Sequence, residues 1–289
     1  YRKTTNYKIG WTYTQSPKAN PGSRFTAGVN MSSSGFDREN SYDVNEHVTT
    51  QRQSSISYTK NWEGTPFNLS ASMNHSQNLA NKKVSMNLPR VNFNVARIYP
   101  FKGRNVRSTG KWYQELQFQY SASLDNQITT FDTLLFTRDV FRNMKNGFKH
   151  DIPVSIQFRP FRNFAISPQM TYTGVLYTQK ITKTWDPSYF NEEINRIEPA
   201  VVIDTARGFF YGHALNPTIS ASFNPQIFGT YTFIKPDARV QAIRHVMKPS
   251  VSFSYIPSLK GFSTELYKEV QIDTLGRVSE YSVFEGSIY

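Results

Sequence analysis

Cysteine is missing from all 289 residues, which removes disulfides and thiolate metal sites from this region. Long apolar runs are missing too: no stretch approaches the ~18 consecutive apolar residues of a spanning helix. With a mean hydropathy of -0.53, a helical membrane protein is excluded. A membrane β-barrel is not, because its strands alternate lipid-facing and water-facing side chains and the average stays low. Glycine/serine-rich and acidic tracts are also absent, and proline and glycine fall singly at turns, so the chain reads as one architectural unit without a linker. Acidic residues are in deficit, 21 against 33 Lys and Arg, for a formal net charge of +12. That surplus is compatible with nucleic acid, phosphorylated lipid or solvated basic loops. The sequence opens at Tyr1 with neither an initiator methionine nor a signal peptide, the expectation for a processed or truncated piece.

What is present is an alternation. Phe67, Leu69, Ala71 and Met73 interleave with Asn68, Ser70, Ser72 and Asn74; Leu116, Phe118, Tyr120, Ala122 and Leu124 interleave with Gln117, Gln119, Ser121 and Ser123. The pattern returns from Ile152 to Phe158 around Ser155 and Gln157, with Arg159 next in the row, and from Phe164 to Tyr172 around Gln169 and Thr171. It returns again from Pro217 to Phe223 around Thr218, Ser220 and Ser222, and from Val251 to Tyr255 around Ser252 and Ser254. A period of two means strands with one greasy and one wet face. The wet face is Ser, Thr, Asn and Gln rather than the Lys and Glu of an ordinary outer surface, which points to a sheet with lipid outside and a hydrated lumen within. Aromatic residues, 15% of the chain, fit girdles at the bilayer interfaces. A soluble β-sandwich also alternates, but several runs reach the ~9–11 residues of a tilted membrane strand. The polar rows are the candidate lumen-facing positions, since neutral hydrogen-bonding groups solvate a passing oligosaccharide, or contact a plug protein, without trapping either.

About a dozen strands are predicted: near 7–13, 25–31, 51–60, 67–77, 83–96, 112–125, 149–159, 163–177, 211–224, 227–234, 245–256 and 278–288. In 83–96 the apolar parity switches from Val84 and Met86 to Val91, Phe93 and Val95 across Pro89, where a bulge would restore the facing. Pro153, Pro168, Pro217 and Pro249 each remove a ladder hydrogen bond and predict bends or bulges. Two long connections look helical. Asp186–Pro187 would cap and start a helix carrying Tyr189, Phe190, Ile194 and Ile197 on one face and ending at Pro199; 134–146 is a weaker case. Short turns at 62–66, 160–163 and 224–226 read as periplasmic, with the long segment 257–277 on the same side.

No catalytic constellation emerges. Asn74-His75-Ser76 fails because neighbours on a strand point to opposite faces. The histidines His47, His75, His150, His213 and His245 lack metal-ligand spacing. The chain is read as non-enzymatic and without cofactors. Arg97, Lys102, Arg104, Arg107 and Lys111 fall in a stretch with no acid, among Pro100, Gly103 and Gly110. This basic loop is either solvated or drawn to phosphate-rich glycolipid and anionic headgroups. Neither an aromatic stacking face nor a recognition helix accompanies it, so nucleic acid is not expected.

The segments NYKIGWTYTQSPKANPGSRFTAGVN (6–30), PFNLSASMNHSQN (66–78), VSMNLPRVNFNVARIYPFK (84–102), DTLLFT (132–137) and AIRHVMKPSVSFSYIPSLKGF (242–262) are, in that order, similar to the barrel region of the lipopolysaccharide-assembly family LptD in its Bacteroidota form. The resemblance implies an all-β, antiparallel transmembrane β-barrel with long loops and short helices, of which residues 1–289 supply a central part. It implies an outer-membrane translocon that receives lipopolysaccharide from a periplasmic LptA-like bridge and inserts it into the outer leaflet, with an LptE-like lipoprotein in the lumen. The periplasmic jellyroll and the barrel ends are not expected in these residues, and strands near 5–15 and 278–288 are expected to find partners outside them. The alternatives are an outer-membrane uptake or diffusion barrel and a soluble basic β-protein that binds nucleic acid or glycans.

Overall fold

A computed structural model describes residues 7–33, 36, 40, 51–103, 111–135, 137–138, 140, 144–191, 195–233, 239–257 and 266–289. The alternating stretches become β1 (Lys8–Thr14), β2 (Ser23–Ser32), β3 (Gln51–Asn61), β4 (Phe67–Asn78), β5 (Lys83–Ile98), β6 (Gln117–Phe131), β7 (Lys145–Ser155), β8 (Phe158–Phe161) and β9 (Phe164–Asp186). After them come β10 (Phe190–Asn191), β11 (Arg196–Ile197), β12 (Ala200–Phe223), β13 (Ile227–Thr232), β14 (Ala242–Met247), β15 (Val251–Tyr255), β16 (Tyr267–Gln271) and β17 (Val278–Ser282). One eleven-stranded antiparallel sheet runs β1-β2-β3-β4-β5-β6-β7-β9-β12-β15, with β8 against β9. Among the described residues this sheet does not close into a barrel: β1 pairs with β2 alone and β15 with β12 alone.

Register keeps like with like. Asn68, Ser70 and Ser72 of β4 stand opposite Asn61, Thr59 and Ser57 of β3 and opposite Asn94, Asn92 and Arg90 of β5. The intervening Leu69 and Ala71 face Phe93 and Val91. The predicted parity switch is accommodated as expected. Ser72 pairs with Arg90 and Asn74 with Asn87, so Leu88 and Pro89 stand against a single residue, and the same step occurs against β6. The extra residue returns Val84 and Met86 to the face of Val91, Phe93 and Val95.

Other expectations fail for identifiable reasons. Pro153, Pro168 and Pro217 cause no register shift; they pair in register with Thr171, Ile219 and Met170. A strand between two neighbours loses only one ladder bond to a proline, and the ladder simply lapses beside it. The β6–β7 pairing is interrupted between Phe118–Val154 and Ser121–Asp151, and the β12–β15 pairing starts only at Ile219. Pro249 lies between strands. The helix expected over 186–199 is not formed by its described residues. β9 continues to Asp186, whose carboxylate accepts from the backbone N–H and hydroxyl of Ser188, and Phe190 meets Ile197 across a β10–β11 hairpin. A cross-strand pair satisfies the same apolar residues that a helix face would; Ile194 lies outside the described residues. The weaker helical reading of 134–146 holds in part: after a 3-10 turn at Asp132–Leu134, Arg138 and Val140 are helical; residues 136, 139 and 141–143 lie outside the described set.

The stretches near 227–234 and 245–256 are not successive wall strands. β13 and β14 pair with each other off the sheet, and β15 alone returns to it. Phe223 therefore meets Val251, and Tyr255 meets Ile219, four rungs from the turn at 224–226. In the described part of 257–277, Leu266 and Val270 pack on the far half of β9 and β12, away from the turns at 62–66, 162–163 and 224–226. The expected edge strand at 278–288 is likewise displaced: β17 pairs with β16 in a separate hairpin.

That hairpin explains why β9 and β12 are so long. Up to Leu176 the apolar residues of β9 (Phe164, Ile166, Met170, Tyr172) share the face of Phe93. Beyond it that face carries Thr178, Lys180, Thr182 and Thr184, and the apolar side chains Val175, Tyr177, Ile181 and Trp185 occupy the other. β16–β17 packs on this inverted face. Tyr177, Val270, Tyr281, Val283 and Phe284 are buried together, with Val175, Ile181, Val201, Phe210 and Leu266 around them. Burying Val270, Val283 and Phe284 stabilises by roughly 1.5–3 kcal/mol each. The Ile181 N–H donates to the Val283 carbonyl at 2.8 Å, the Lys183 N–H to the Tyr281 hydroxyl at 3.0 Å, and Lys183 Nζ pairs with Glu285 at 2.5 Å. Gly212 permits the approach, since a Cβ there would collide with Leu266 and come within 3.0 Å of Phe284. A second cluster, Val84, Met86, Ile128, Leu135 and Val140, covers the opposite face near the 132–144 connection.

Candidate functional site

The polar residues predicted from the alternation share one face of the sheet. Gln117, Ser155, Gln169 and Thr218 line up across β6, β7, β9 and β12. Ser121 and Ser123 stand opposite Asn94 and Asn92, with Gln119 on the same side of β6. Asn74 faces Ser55; Thr171 faces Asn216; Ser220 faces Ser167 and Ser254, and Ser222 faces Ser252. Gln157 lies just past β7, where its amide oxygen accepts from Arg159 at 3.1 Å. Many of these groups satisfy one another: Thr26 with Ser57 at 2.6 Å, Ser123 donating to Asn92 at 2.8 Å, Asn68 donating to Asn61, and Thr173 donating to Asp151 at 2.6 Å. Beside β2–β5 the face forms a hollow of about 580 Å³, lined by Thr12, Asn30, Gln53, Ser55, Asn74, Ser76, Ser85 and Asn87 among others.

Two charge pairs interrupt the neutral rows, and sequence reasoning missed both. Arg90 meets Asp125 at 2.5 Å, with side-chain exposures of 46% and 5%, and Lys149 meets Asp151 at 3.5 Å. Asp125 continues the row Ser121–Ser123 by parity, which was the signal available. Tyr289 reaches the same neighbourhood: the Tyr177 hydroxyl donates to its carbonyl at 2.8 Å, and its own ring packs against Gly147. Burial pushes the Tyr289 hydroxyl pKa up, and the nearby Asp125 charge adds to that shift.

Three members of the basic stretch, Arg97, Lys102 and Lys111, are among the described residues. Arg97 lines a hollow of about 630 Å³ with Tyr99, Trp112, Glu115 and Arg159, at the end of the polar face near Gln117. Lys102 sits over the Tyr99 ring and Lys111 over Tyr113, at 5.4 and 5.8 Å. Arg104 and Arg107, like His47, lie outside the described residues.

Away from the 132–144 connection the other face is apolar and open. Ile9, Trp11, Tyr13, Phe67, Met73, Met170, Ile219, Phe253 and Tyr255 are all exposed, far beyond the isolated apolar side chains a soluble surface carries. A belt of rings crosses it at Tyr120, His150, Tyr172, Tyr211 and His213. Their polar tips bond to each other, Tyr172 to Tyr211 at 2.6 Å and Tyr211 to His150 at 3.2 Å, while Gly174 leaves the room they need. Rings with an apolar body and a satisfied polar tip suit a membrane–water boundary. His75 lies on this side with its Nδ1 at 3.4 Å from Ser54 Oγ, whereas Ser76 is on the polar side opposite Ser85. No helix among the described residues is long and apolar enough to cross a membrane, which says nothing of a barrel.

No curated protein and no solved structure gives a match to this sequence. A family model described as LptD protein matches residues 1–289, the whole sequence given. With an all-β antiparallel sheet that separates an exposed aromatic face from a neutral polar one, the chain belongs to the LptD family, whose theme is lipopolysaccharide transport at the outer membrane.

Proposed function

We propose that this chain is a section of the wall of an outer-membrane translocon that takes lipopolysaccharide from the periplasm and inserts it into the outer leaflet. The observation that carries the reading is the segregation of faces. The apolar, ring-bearing face meets lipid, and the rows through Asn68–Asn74, Gln117–Ser123, Ser155–Gln157, Gln169–Thr171, Thr218–Ser222 and Ser252–Ser254 line a hydrated lumen. Among the described residues both edges of the sheet, β1 and β15, are open. Unpaired backbone groups cost several kcal/mol each in hydrocarbon, so these edges pair with further strands of one barrel domain. The lumen partner is an LptE-like lipoprotein, and an LptA-like bridge delivers the glycolipid through a periplasmic jellyroll. The wall contributes a path rather than a catalytic centre, and the energy for transport is supplied elsewhere.

Photo-crosslinking in cells from Gln119 and Ser220 tests this. Adducts with lipopolysaccharide or with a lumenal lipoprotein are expected. Absence of both at every polar-face position would refute the assignment.

A further inference from the structure

We infer that the polar face is divided, with the hollow beside β2–β5 receiving an uncharged stretch of the glycan and the β16–β17 hairpin acting as a fixed lid over the β9–β12 part. The inference rests on the reading of the chain as a lipopolysaccharide conduit and adds where the sugar runs and which part of it is held.

Two independent observations carry it. The first is the chemistry of the hollow. Gln53, Ser55, Asn74, Ser76, Ser85 and Asn87 present amides and hydroxyls toward a space of about 580 Å³, and among the described residues no lysine or arginine lines it. Sugar hydroxyls are both donors and acceptors, so such groups exchange hydrogen bonds with them one for one. A phosphate group would call for charge-assisted donors, which the hollow does not offer. On this face Arg90 is paired with Asp125 and Lys149 with Asp151, and Lys83 stands one step along β5 from Ser85 without lining the hollow.

The second is the lid. Above Thr173 the β9–β12 wall turns its apolar residues inward, and Tyr281, Val283 and Phe284 are buried against them. Lifting the hairpin would bare a face of Val175, Tyr177, Ile181 and Phe210 to water and break the Lys183–Glu285 pair. A path that opened and closed at each passage would not be built around a dry core. The hairpin therefore stays in place, and the glycan passes along the uncovered half of the face.

The test uses the full-length protein in cells, carrying a photoreactive residue at Gln53, Ser55 or Asn74 in the hollow, or at Gln179 behind the lid. Each variant is first checked for the heat-modifiable folded form, and three hollow positions guard against one that does not fold. Cells making complete lipopolysaccharide are compared with cells making only its phosphorylated inner core. The hollow positions are expected to label the complete molecule at least about ten-fold more than the truncated one, and Gln179 to label neither. Equal labelling of the two forms in the hollow, glycolipid adducts at Gln179, or adducts in the hollow with protein alone would each overturn the inference. Adducts at Gln119 or Ser220 without any in the hollow would sink the inference while leaving the conduit standing. No glycolipid or lipoprotein adduct at any polar-face position would remove the conduit itself.

Discussion

Replacing Val283 by alanine examines whether the C-terminal hairpin is held by a core of its own. Val283 is 0% exposed and lies among Tyr177, Val270, Tyr281 and Phe284. The substitution deletes two buried carbons, worth roughly 0.8 kcal/mol each, and leaves a small cavity that raises the loss to about 2 kcal/mol. Such a loss multiplies the population of the opened hairpin about 30-fold. Hydrogen exchange followed by mass spectrometry on the full protein reads it locally. The Val283 amide, bonded to the Leu266 carbonyl at 3.0 Å, and the Ile272 amide, bonded to Arg277 at 2.8 Å, should exchange about 30-fold faster, with β4 and β5 unchanged. If the wall strands quickened by the same factor, the hairpin would not be a separate unit. If its own amides changed less than about 3-fold, the packing argument would be wrong.

Three further outcomes follow from the geometry. Deleting Leu88 removes the extra residue of the bulge, leaves Pro89 alone opposite Met73 and keeps Val84 and Met86 on the face of Val91, so the folded, heat-modifiable form should survive on gels; deleting Leu88 and Pro89 together would turn Val84 and Met86 to the polar face and should abolish it. A double-mutant cycle on Arg90 and Asp125 in urea should give a coupling of about 1 kcal/mol, because Asp125 is buried but Arg90 is half in solvent; no measurable coupling would mean that the pair contributes nothing. In the β16–β17 turn, the Arg277 backbone N–H and then its guanidinium, with the Leu275 N–H, hold the Asp273 carboxylate below its ordinary pKa. A depressed carboxylate contributes stability that is present above its unfolded value and is lost as pH falls through the folded one. Asp273→Asn should therefore speed exchange of the Arg277 amide near about pH 7 and make no difference once the carboxyl is protonated.

The sheet was legible in the sequence because a strand with one polar and one apolar face must alternate, and nothing else in Phe67–Asn74 or Phe118–Ser123 competes with that period. The bulge was legible for the same reason: Val84 and Val91 could not share a face without an extra residue between them. The hairpin lid was not, since Tyr177 and Val283 are brought together by contacts across a hundred positions that no local pattern records. One trace of it did exist. In β9 the apolar residues shift from Tyr172 and Leu176 to Val175, Tyr177 and Ile181, a change of parity with no proline to mark a bulge. A strand that changes sides without a bulge has changed surroundings, and here it acquires the hairpin as a neighbour. The helix expected over 186–199 failed because Phe190 and Ile197 suit a two-stranded hairpin as well as a helix face; only tertiary context decides.

The most direct measurement is a single-cysteine scan along β4 and β6, straightforward because these 289 residues contain no cysteine. Spin labels at 67–74 and 117–124 in bilayers would be challenged with oxygen, which concentrates in lipid, and with a water-soluble nickel chelate. Accessibility should alternate residue by residue. Leu69, Ala71, Tyr120 and Ala122 should collide with oxygen, and Ser70, Ser72, Gln119 and Ser121 with the chelate. Uniform exposure of both sets to the chelate would contradict the claim that one face of this sheet meets lipid and the other lines a watery path.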